Sequence, residues 1–319
     1  MTSGVNNKRE DHPPHESVLY QEILKALKPK DHGVYIDATV GAGGHAWGIL
    51  QASSPNGRLL GFDVDPKALE LSKKRLCEFG KRVEIINSSY VHLNSVLVDY
   101  GLSNVNGIVL DLGVSSMQID TPERGFSFLK EAPLDMRMDM SLQSTAADLV
   151  NEAPEEELAE IIWLYGEERR SRQIARLICR ERPIRTTKEL ADLIKKLGTK
   201  GKQRIHPATR TFQALRIAVN DEMNNIHKVL PIALEALEPG GRLAVISFHS
   251  LEDRIVKNFF QRESKDCICP PKQPICTCGH KARFKIITRR PILATEDELN
   301  INPRSRSARL RVAEKLYLA

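Results

Sequence analysis

The sequence predicts an α/β fold with a parallel sheet, and two features support that prediction. Between residues 33 and 113, apolar segments rich in β-branched residues alternate with helix-like segments. Strands that alternate with helices form a doubly wound sheet with right-handed crossovers. The first apolar segment also runs directly into glycines, in the stretch YIDATVGAGGH (35–45). Such a cluster is typical of a strand that ends in a loop whose backbone approaches a ligand closely.

The elements of this first part follow one another along the chain. Four strands are predicted, GVYIDATV (33–40), GRLLGFDVD (57–65), KRVEIIN (81–87) and NGIVLDLG (106–113). The helices between them are HAWGILQAS (45–53), PKALELSKKRLCEFG (66–80) and HLNSVLVDYG (92–101). Pro66 is well placed at the start of the second helix, because proline fits the first helical position. The apolar fourth strand predicts a sheet that is buried on both faces.

After the fourth strand the alternating pattern stops, and helical segments with recognisable start signals replace it. Pro154 is followed by three glutamates, and Thr186 has the capping-box spacing to Glu189. A block of helices that interrupts an α/β pattern is most simply an inserted subdomain. We therefore predict an inserted helical subdomain over residues 120–211, within a main domain formed by residues 1–119 and 212–319.

The last third of the chain returns to the α/β pattern. A long helical stretch (209–237) leads into a fifth predicted strand, GGRLAVISF (240–248). Two further strands, ARFKIITRR (282–290) and SARLRVAEK (307–315), bracket a short helix, TEDELNI (295–301). These last two strands are in a position to close the sheet with an antiparallel edge.

Composition sets broad limits on the class of protein. The chain has 319 residues, of which 41% are hydrophobic, so a packed core is feasible. The net charge is +6, from 47 basic and 41 acidic residues, which is a moderate preference for an anionic partner. The first residues contain no apolar signal segment, and no run of 18 apolar residues occurs. The sequence predicts a soluble, cytoplasmic protein with no membrane segment.

The glycine loop and the residues at the strand ends indicate what the site binds. The loop VGAGGHA (40–46) has the dinucleotide spacing G-x-G-x-x-G/A, and Asp63 ends the second strand, where a carboxylate can bind ribose hydroxyls. This much fits a nicotinamide enzyme and a methyltransferase equally. Asp37 and Asp111 add two further carboxylates at strand ends. Three acidic strand ends favour a cationic ligand that carries a nucleoside, which is S-adenosyl-L-methionine.

A series of longer motifs makes the chain similar to a known family. In order, these are HESVL, DATVGAGGH, FDVDP, VLDLGVSSMQID, RGFSF, PLDMRMD, FQALRIAVNDE, ISFHSLEDRIVK and NPRSRSARLRVAEK. The chain resembles the RsmH (MraW) family, bacterial methyltransferases that modify the exocyclic N4 amine of a cytidine in the decoding region of 16S ribosomal RNA. The resemblance runs from residue 15 to residue 315. It implies a class I (Rossmann-like) S-adenosylmethionine-dependent methyltransferase with an inserted all-helical subdomain.

The resemblance also implies site residues and partners. The residues that correspond to the family's donor site are Gly43, Gly44, His45, Asp63, Tyr90, Asp111 and Gln118. Other members carry phenylalanine at the position of Tyr90, and an aromatic face against adenine survives that exchange. The implied partner is 16S rRNA within the small ribosomal subunit, with the enzyme acting as a monomer or homodimer.

The type of methyl acceptor follows from the nucleophiles that the sequence offers. Methylation of a pyrimidine ring carbon normally requires a cysteine that adds to the base, but Cys77 and Cys179 are predicted to be buried packing residues. An exocyclic amine instead needs to be oriented and to lose a proton. We expect Asp111 and Ser115 to face that amine, with His249 shaping the base pocket. Two alternatives remain open: Asp111 contacts only the donor, and His249 only caps a helix.

Three basic segments are candidates for binding RNA. They are ERRSRQIARLICRERPIR (168–185), KKLGTKGKQRIHPATR (195–210) and NPRSRSARLR (302–311). An enzyme that modifies a base inside folded nucleic acid extracts it from its stack, which requires positive surface around the pocket. A solvated charged surface is the alternative for each segment taken alone.

A separate cluster of cysteines is a candidate metal site. The stretch CICPPKQPICTCG places Cys267, Cys269, Cys276 and Cys278 in two C-x-C pairs. Four thiolates so close in sequence suit tetrahedral zinc, and reduced thiols or redox-active pairs are the alternative.

Three other functions remain in competition with an RNA amino-methyltransferase. The chain could be an RNA-binding ribosome-assembly factor with a vestigial donor site, a DNA amino-methyltransferase, or a dehydrogenase. The DNA enzymes usually carry a D/N/S-P-P-aromatic tetrad after the fourth strand, where this chain has DLGV.

Overall fold

The structure, a computed structural model, describes residues 17–198, 205–271, 273 and 275–317. Its strands are β1 (Val34–Asp37), β2 (Arg58–Asp63), β3 (Val83–Asn87), β4 (Val105–Asp111), β5 (Leu237–Ser247), β6 (Phe284–Ile286) and β7 (Arg309–Lys315). Its first helices are α1 (Tyr20–Leu27), α2 (Gly44–Ala52), α3 (Pro66–Leu76), α4 (Leu93–Asp99), α5 (Ser116–Asp120), α6 (Ala146–Glu152) and α7 (Glu155–Gly166). They are followed by α8 (Ser171–Arg180), α9 (Thr187–Lys196), α10 (Thr209–Val219), α11 (Glu222–Ala236), α12 (Ser250–Glu263) and α13 (Glu296–Ile301).

The strands form one mixed sheet of seven strands in the order β3-β2-β1-β4-β5-β7-β6. Strands β1 to β5 are parallel, whereas β7 runs antiparallel to β5 and to β6. The predicted α/β fold with an antiparallel closing edge is therefore confirmed. Because the strand order reverses direction between β1 and β4, the carboxyl ends of these strands border the crevice in which doubly wound sheets bind ligands.

Both faces of the sheet are covered by helices, as the apolar strands predict. In β4, Ile108 and Leu110 pack into one buried cluster, and Val109 between them packs into another on the opposite face. The first cluster includes apolar residues of α11 and α12, and the second includes residues of α1 and α2. A strand that is buried on both faces loses the usual alternation of polar and apolar residues, which explains the continuous apolar run of β4.

The segment between β4 and β5 contains helices α5 to α11, and most of them pack around a hydrophobic cluster of their own. Thr186 and Glu189 form the predicted capping box at the start of α9. Helix α10 belongs to both parts, since Phe212 and Leu215 pack in the helical cluster while Ile217 packs in a cluster of the sheet. The predicted subdomain boundary at residue 211 thus falls inside α10. The division into domains stays a prediction.

The long helical stretch before β5 is two helices, which corrects the prediction of a single stretch. Helix α10 ends before Asn220, and Asp221 has a left-handed backbone with φ of 51°. The Asn220 side chain accepts a hydrogen bond from the Met138 N–H (2.7 Å) and donates one to the Met136 carbonyl (2.7 Å). These bonds to the loop before α6 hold the break between the two helices, and a local helical pattern does not reveal them.

Among the described residues, no helix is both long enough and apolar enough to cross a membrane.

Candidate active site

The three predicted acidic strand ends lie side by side at the carboxyl edge of the sheet. Asp37 ends β1, Asp63 ends β2 and Asp111 ends β4, and the sheet order places β1 between the other two strands. Strands that lie far apart in sequence therefore bring three carboxylates to one crevice.

The glycine loop folds tightly between β1 and α2. Gly41 and Gly43 have φ of 51° and 80°, a left-handed backbone that glycine adopts at little cost. The Gly41 N–H donates to Asp63 Oδ2 at 2.9 Å, so the loop is tied to the end of β2. A Cβ atom on Gly44 would lie 1.9 Å from Ser17 Oγ. The loop therefore needs glycine for backbone conformation at two positions and for close packing at a third.

Behind this loop is a cluster of polar side chains whose hydrogen-bonding capacity is only partly used. It consists of the buried Asp37 and His45 and the half-buried Asp111. Asp37 Oδ2, both ring nitrogens of His45 and Asp111 Oδ1 have no hydrogen-bond partner among the described residues. His45 Nε2 lies 3.7 Å from Asp111 Oδ2, which is too long for a hydrogen bond. Buried polar atoms without partners are costly and uncommon, so this cluster is suited to a ligand that supplies the missing polar partners.

The electrostatics of the cluster favour a positively charged ligand. Burial raises the pKa of Asp37 to about 7, against an ordinary value of 3.8. His45 opposes that shift, while the carboxylates of Asp111 and Asp63 add to it. Burial also raises the pKa of Asp63, although backbone N–H groups of Asp65 and Gly41 stabilise its charged form. A cation in this crevice would relieve the repulsion and stabilise the ionised carboxylates.

Tyr90 follows β3 and is packed against the core of the sheet. Burial raises its pKa, and the carboxylates of Glu222, Glu252 and Asp221 raise it further. These acidic residues start α11 and α12, so the Tyr90 hydroxyl lies within their field. The ring therefore packs on the side of the sheet that carries α11 and α12.

Gln118 and Ser115 hold the loop that follows β4. Ser115 Oγ accepts a hydrogen bond from the Gln118 N–H, and Gln118 Oε1 accepts one from the Ser115 N–H, which is a capping box at the start of α5. Gln118 Nε2 donates to Asp65 Oδ2 at 3.0 Å, and the same oxygen pairs with Arg124 Nη1 at 2.5 Å. In this structure Gln118 therefore links the loop after β4 to the loop after β2.

Asp65 and Arg124 are site-organising residues that the sequence reasoning missed. Both are buried, and the Arg124 guanidinium also donates to the carbonyls of Arg137 and Met138. The available signal was their position inside the motifs FDVDP and RGFSF. Nothing local in either motif says that these two side chains meet.

His249 lies at the start of α12, next to the loop after β4. Its ring caps the helix, with Nδ1 accepting from the Glu252 N–H at 3.5 Å. Glu252 in turn accepts hydrogen bonds from the Phe248 and His249 N–H groups. A Cβ atom on Gly113 would lie 3.7 Å from the Phe248 ring and 3.8 Å from Glu252 Oε1, so the loops after β4 and β5 touch. Asp111, at the end of β4, and His249 are thereby brought to neighbouring loops.

A buried ion pair supports the His249 cap from behind. Arg216 of α10 binds Glu222 of α11 through two hydrogen bonds of 2.8 and 2.9 Å. Burial raises the pKa of Glu222, and the neighbouring Glu252 adds to that shift. Burial acts in the same direction on Glu252, but hydrogen bonding and charge from His249 and Arg216 leave its pKa lowered. Both members of the pair lie in the motif FQALRIAVNDE, whose pairing was not predicted from the sequence.

The isolated cysteines lie in or next to helices and not at the ends of the strands. Cys77 is exposed just after α3, which corrects the prediction that it is buried, because the chain turns outward there into a short 3-10 helix. Cys179 is partly buried and packs against the helical cluster between β4 and β5. Neither is positioned to attack a base in the crevice.

The three basic segments differ in how much of their charge is free. In the segment 302–311, three arginines form ion pairs inside the protein: Arg304 with Asp120, and Arg309 and Arg311 with Asp253. In the segment 195–210, residues 199–204 lie outside the described residues. In the segment 168–185, Arg169 and Arg172 are exposed, and neither side chain forms a hydrogen bond or ion pair with a described residue. These two arginines are candidates for contact with phosphates.

The strand order, the glycine loop and the acidic strand ends together define a Rossmann-like enzyme of the methyltransferase class. A family model, described as the MraW methylase family, matches residues 12–316. The chain belongs to this family, which confirms the resemblance inferred from the motifs. As a member, it is an S-adenosylmethionine-dependent methyltransferase.

Characterised relatives match along nearly the whole chain. A protein of Geobacter sp. (strain M21), named Ribosomal RNA small subunit methyltransferase H, is 55% identical over 307 residues, covering 95% of this chain and 98% of the relative. Proteins of the same name from Heliobacterium mobile and Brevibacillus brevis are 52% and 50% identical, each over 95% of this chain. They cover 99% and 98% of the respective relatives.

Solved structures give weaker likenesses. An rRNA methylase from Streptococcus thermophilus has a TM-score of 0.41 at 13% identity. The match covers 93% of this chain and 94% of the S. thermophilus chain. SMU.1697c from Streptococcus mutans, solved with SAH, has a TM-score of 0.44 at 13% identity. The match covers 95% of this chain and 99% of the S. mutans chain. These scores are too low to carry an argument about the site.

Proposed function

We propose that the protein transfers a methyl group from S-adenosyl-L-methionine to the exocyclic N4 amine of a cytidine in the decoding region of 16S rRNA. The observation that carries the proposal is the cluster of Asp37, His45 and Asp111 beside the glycine loop, in which four buried polar atoms have no hydrogen-bond partner among the described residues. The names of the relatives support the small-subunit rRNA as the substrate. The choice of N4 of cytidine, and of the decoding region, follows from the motif resemblance.

The residues fit the donor in charge and in shape. When bound, S-adenosyl-L-methionine supplies an electrophilic methyl group on a sulfonium. The positive charge of such a ligand matches the carboxylate of Asp37, whose Oδ2 has no hydrogen-bond partner among the described residues. The left-handed backbone of Gly41 and Gly43 gives the tight turn that lets a loop backbone approach a ligand. Asp63 is positioned at the end of β2, where ribose hydroxyls can bind to its free lone pairs.

The loops after β4 and β5 suit an amine acceptor. The lone pair of the amine nitrogen forms a bond to the methyl carbon as the carbon–sulfur bond breaks. The electron pair of the broken bond stays on sulfur, and one N–H proton leaves the nitrogen. Asp111 Oδ1 is buried and has no hydrogen-bond partner in the described part of the chain, so it is available to accept that proton or a hydrogen bond from the amine. Ser115 holds the loop by its cap, and His249 with Glu252 forms the opposite wall. Positioning of this kind supplies a large part of the rate of such reactions.

A ring-carbon acceptor would demand a cysteine nucleophile at the same place. Cys77 follows α3, Cys179 is in α8, and the remaining cysteines lie between α12 and β6. The positions of all six cysteines thus favour transfer to nitrogen over transfer to carbon.

The test is methyl transfer from labelled S-adenosyl-L-methionine to small ribosomal subunits that lack the modification. Naked 16S RNA and duplex DNA are run in parallel. Label recovered as N4-methylcytidine from the subunits is the expected result. Label recovered as 5-methylcytidine, or from DNA alone, would overturn the proposal. If the protein binds the donor and the subunits but transfers nothing to any substrate, the assembly-factor function replaces it.

A further inference from the structure

The cysteine cluster (Cys267, Cys269, Cys276 and Cys278) lies in a segment between α12 and β6 that methyl transfer does not use. The two ends of this segment meet, because the Arg283 N–H donates to the Glu263 carbonyl at 2.7 Å. The Arg283 guanidinium also pairs with the buried Glu263 carboxylate at 2.8 Å. The segment is therefore a closed excursion at the end of α12, and the cysteines lie within it.

The distances between the cysteine sulfurs fit a single tetrahedral ion. The four Sγ atoms all lie within 4.8 Å of one another. Cys276 Sγ is 3.5 Å from the sulfurs of Cys267 and Cys278 and 4.0 Å from that of Cys269, and Cys267 and Cys278 are 3.8 Å apart. With zinc–sulfur bonds of about 2.3 Å, tetrahedral geometry places sulfurs about 3.8 Å apart. A disulfide would bring two of them to about 2.0 Å.

The same spacing argues against larger metal centres. A cluster that contains two or four irons spreads its cysteines around a core of several atoms, whereas here all four sulfurs surround one point. Four soft sulfur ligands in a tetrahedral arrangement select zinc among the common divalent ions.

Backbone groups around the cluster are arranged to support thiolates. The Ile268 N–H donates to Cys278 Sγ at 3.5 Å, and the Cys269 N–H donates to Cys267 Sγ at 3.4 Å. Hydrogen bonds of this kind orient ligands and stabilise negative charge on sulfur. Nearby, His280 Nδ1 lies 2.9 Å from the backbone carbonyl oxygen of Lys265. This hydrogen bond gives the histidine a structural role separate from the cysteine cluster.

The position of the cluster in the fold separates it from the methyl-transfer site. Helix α12 begins at the carboxyl end of β5 and has 14 residues, so its far end is about 20 Å away along the helix. Strand β6 runs parallel to β5, since both are antiparallel to β7, and it therefore starts at the amino edge of the sheet. The excursion is thus at the edge opposite the acidic strand ends.

We propose that the cysteine cluster binds one Zn²⁺ as a structural tetrathiolate site that folds the excursion and takes no part in methyl transfer. The ion replaces the hydrophobic core that this short exposed segment lacks, because two of its cysteines are exposed and none is buried. Bound zinc stabilises only the folded arrangement of the four thiolates, so its binding free energy becomes local folding free energy.

The experiment measures metal content and local stability in the full chain. Protein purified under reducing conditions is analysed for zinc, and Co²⁺ is exchanged into the site to record sulfur-to-cobalt charge-transfer bands and tetrahedral d–d bands. The double variant Cys267→Ser/Cys276→Ser is compared with Cys77→Ser, which removes an exposed cysteine elsewhere. Limited proteolysis reports on the excursion, and donor binding reports on the distant crevice.

We expect about one zinc per chain in the wild type and in Cys77→Ser, as a single tetrathiolate site requires. The double variant should lose the zinc and be cut faster within residues 264–283, with donor affinity within about twofold of the wild type. Zinc that stays absent after addition to the reduced protein, a cobalt spectrum without sulfur bands, or native disulfides among the four cysteines would each overturn the proposal. The cobalt measurement uses the wild type, so the test holds even where the double variant fails to fold.

Discussion

Replacing Asp37 by asparagine should make the ligand-free protein more stable than the wild type at high pH. It should also lower the affinity for the methyl donor. Asp37 is almost fully buried, at 1% exposure, and burial raises its pKa from 3.8 to about 7. A raised carboxyl pKa means that the folded chain holds a proton that the unfolded chain releases. The wild type therefore loses stability as the pH rises from about 4 to about 7, and the loss levels off above that range.

The magnitude follows from these two pKa values. Ionisation of Asp37 lowers the free energy of unfolding by roughly 2 kcal/mol at about pH 5 and by roughly 4 kcal/mol at about pH 8.5. His45, Asp111 and Asp63 face Asp37 and shift its pKa, and they are present in both proteins. The Asp37→Asn variant should thus gain about 2–3 kcal/mol relative to the wild type between these two pH values.

Urea denaturation at several pH values gives the free energies, and calorimetric titration with S-adenosyl-L-methionine gives the affinities. Affinity of the wild type should rise with pH up to about 7, as Asp37 becomes anionic, and this rise should be reduced in Asp37→Asn. The exposed Asp192 serves as control, and Asp192→Asn should follow the wild type in both measurements. Parallel stability profiles for Asp37→Asn and the wild type would refute the raised pKa. Equal donor affinities at all pH values would refute the role of Asp37 in binding the donor.

Three further substitutions test other parts of the site. Asp111→Asn should keep donor affinity within a few-fold and lower turnover by roughly 10²-fold or more in the methyl-transfer assay; lost donor affinity would instead assign Asp111 to the donor. Arg124→Met leaves the buried carboxylate of Asp65 without its charged partner and should lower the free energy of unfolding by about 3–5 kcal/mol. The control, Arg176→Ala, removes the exposed ion pair with Glu155 and should change the free energy of unfolding by less than about 1 kcal/mol. Arg172→Glu should weaken binding to small subunits and reduce the salt slope by about one or two, and Lys73→Glu on the exposed side of α3 should not.

The strands and their acidic ends could be predicted because their signals are local. A strand that runs from apolar residues into Asp37 or Asp111 identifies its own carboxyl end, and parallel packing then brings such ends to one edge. The capping box of Thr186 and Glu189 is equally local, since both partners lie within one turn. Predictions of this kind need no knowledge of which segments meet in space.

The predictions that the structure corrected depended on features that a local sequence pattern does not contain. The break at Asn220 depends on bonds to carbonyl and amide groups near residue 137, more than 80 residues away in sequence. Cys77 is exposed because the chain leaves α3 in a 3-10 turn, although its spacing in the helix resembles that of a packing residue. In both cases a distant contact or a local change of direction overrides the sequence pattern.

The sequence by itself determined the class of fold, the glycine loop and the family, because alternating periodicity, left-handed glycines and long motifs are written in consecutive residues. Only the tertiary structure decided that His45 lies beside Asp111, with both ring nitrogens lacking hydrogen-bond partners among the described residues, and that Arg124 pairs with Asp65. The pKa of a buried carboxyl depends on how much water the surrounding segments exclude and on which charges they bring near. Those quantities are properties of the packed sheet and its crossovers, and no single stretch of the chain contains them.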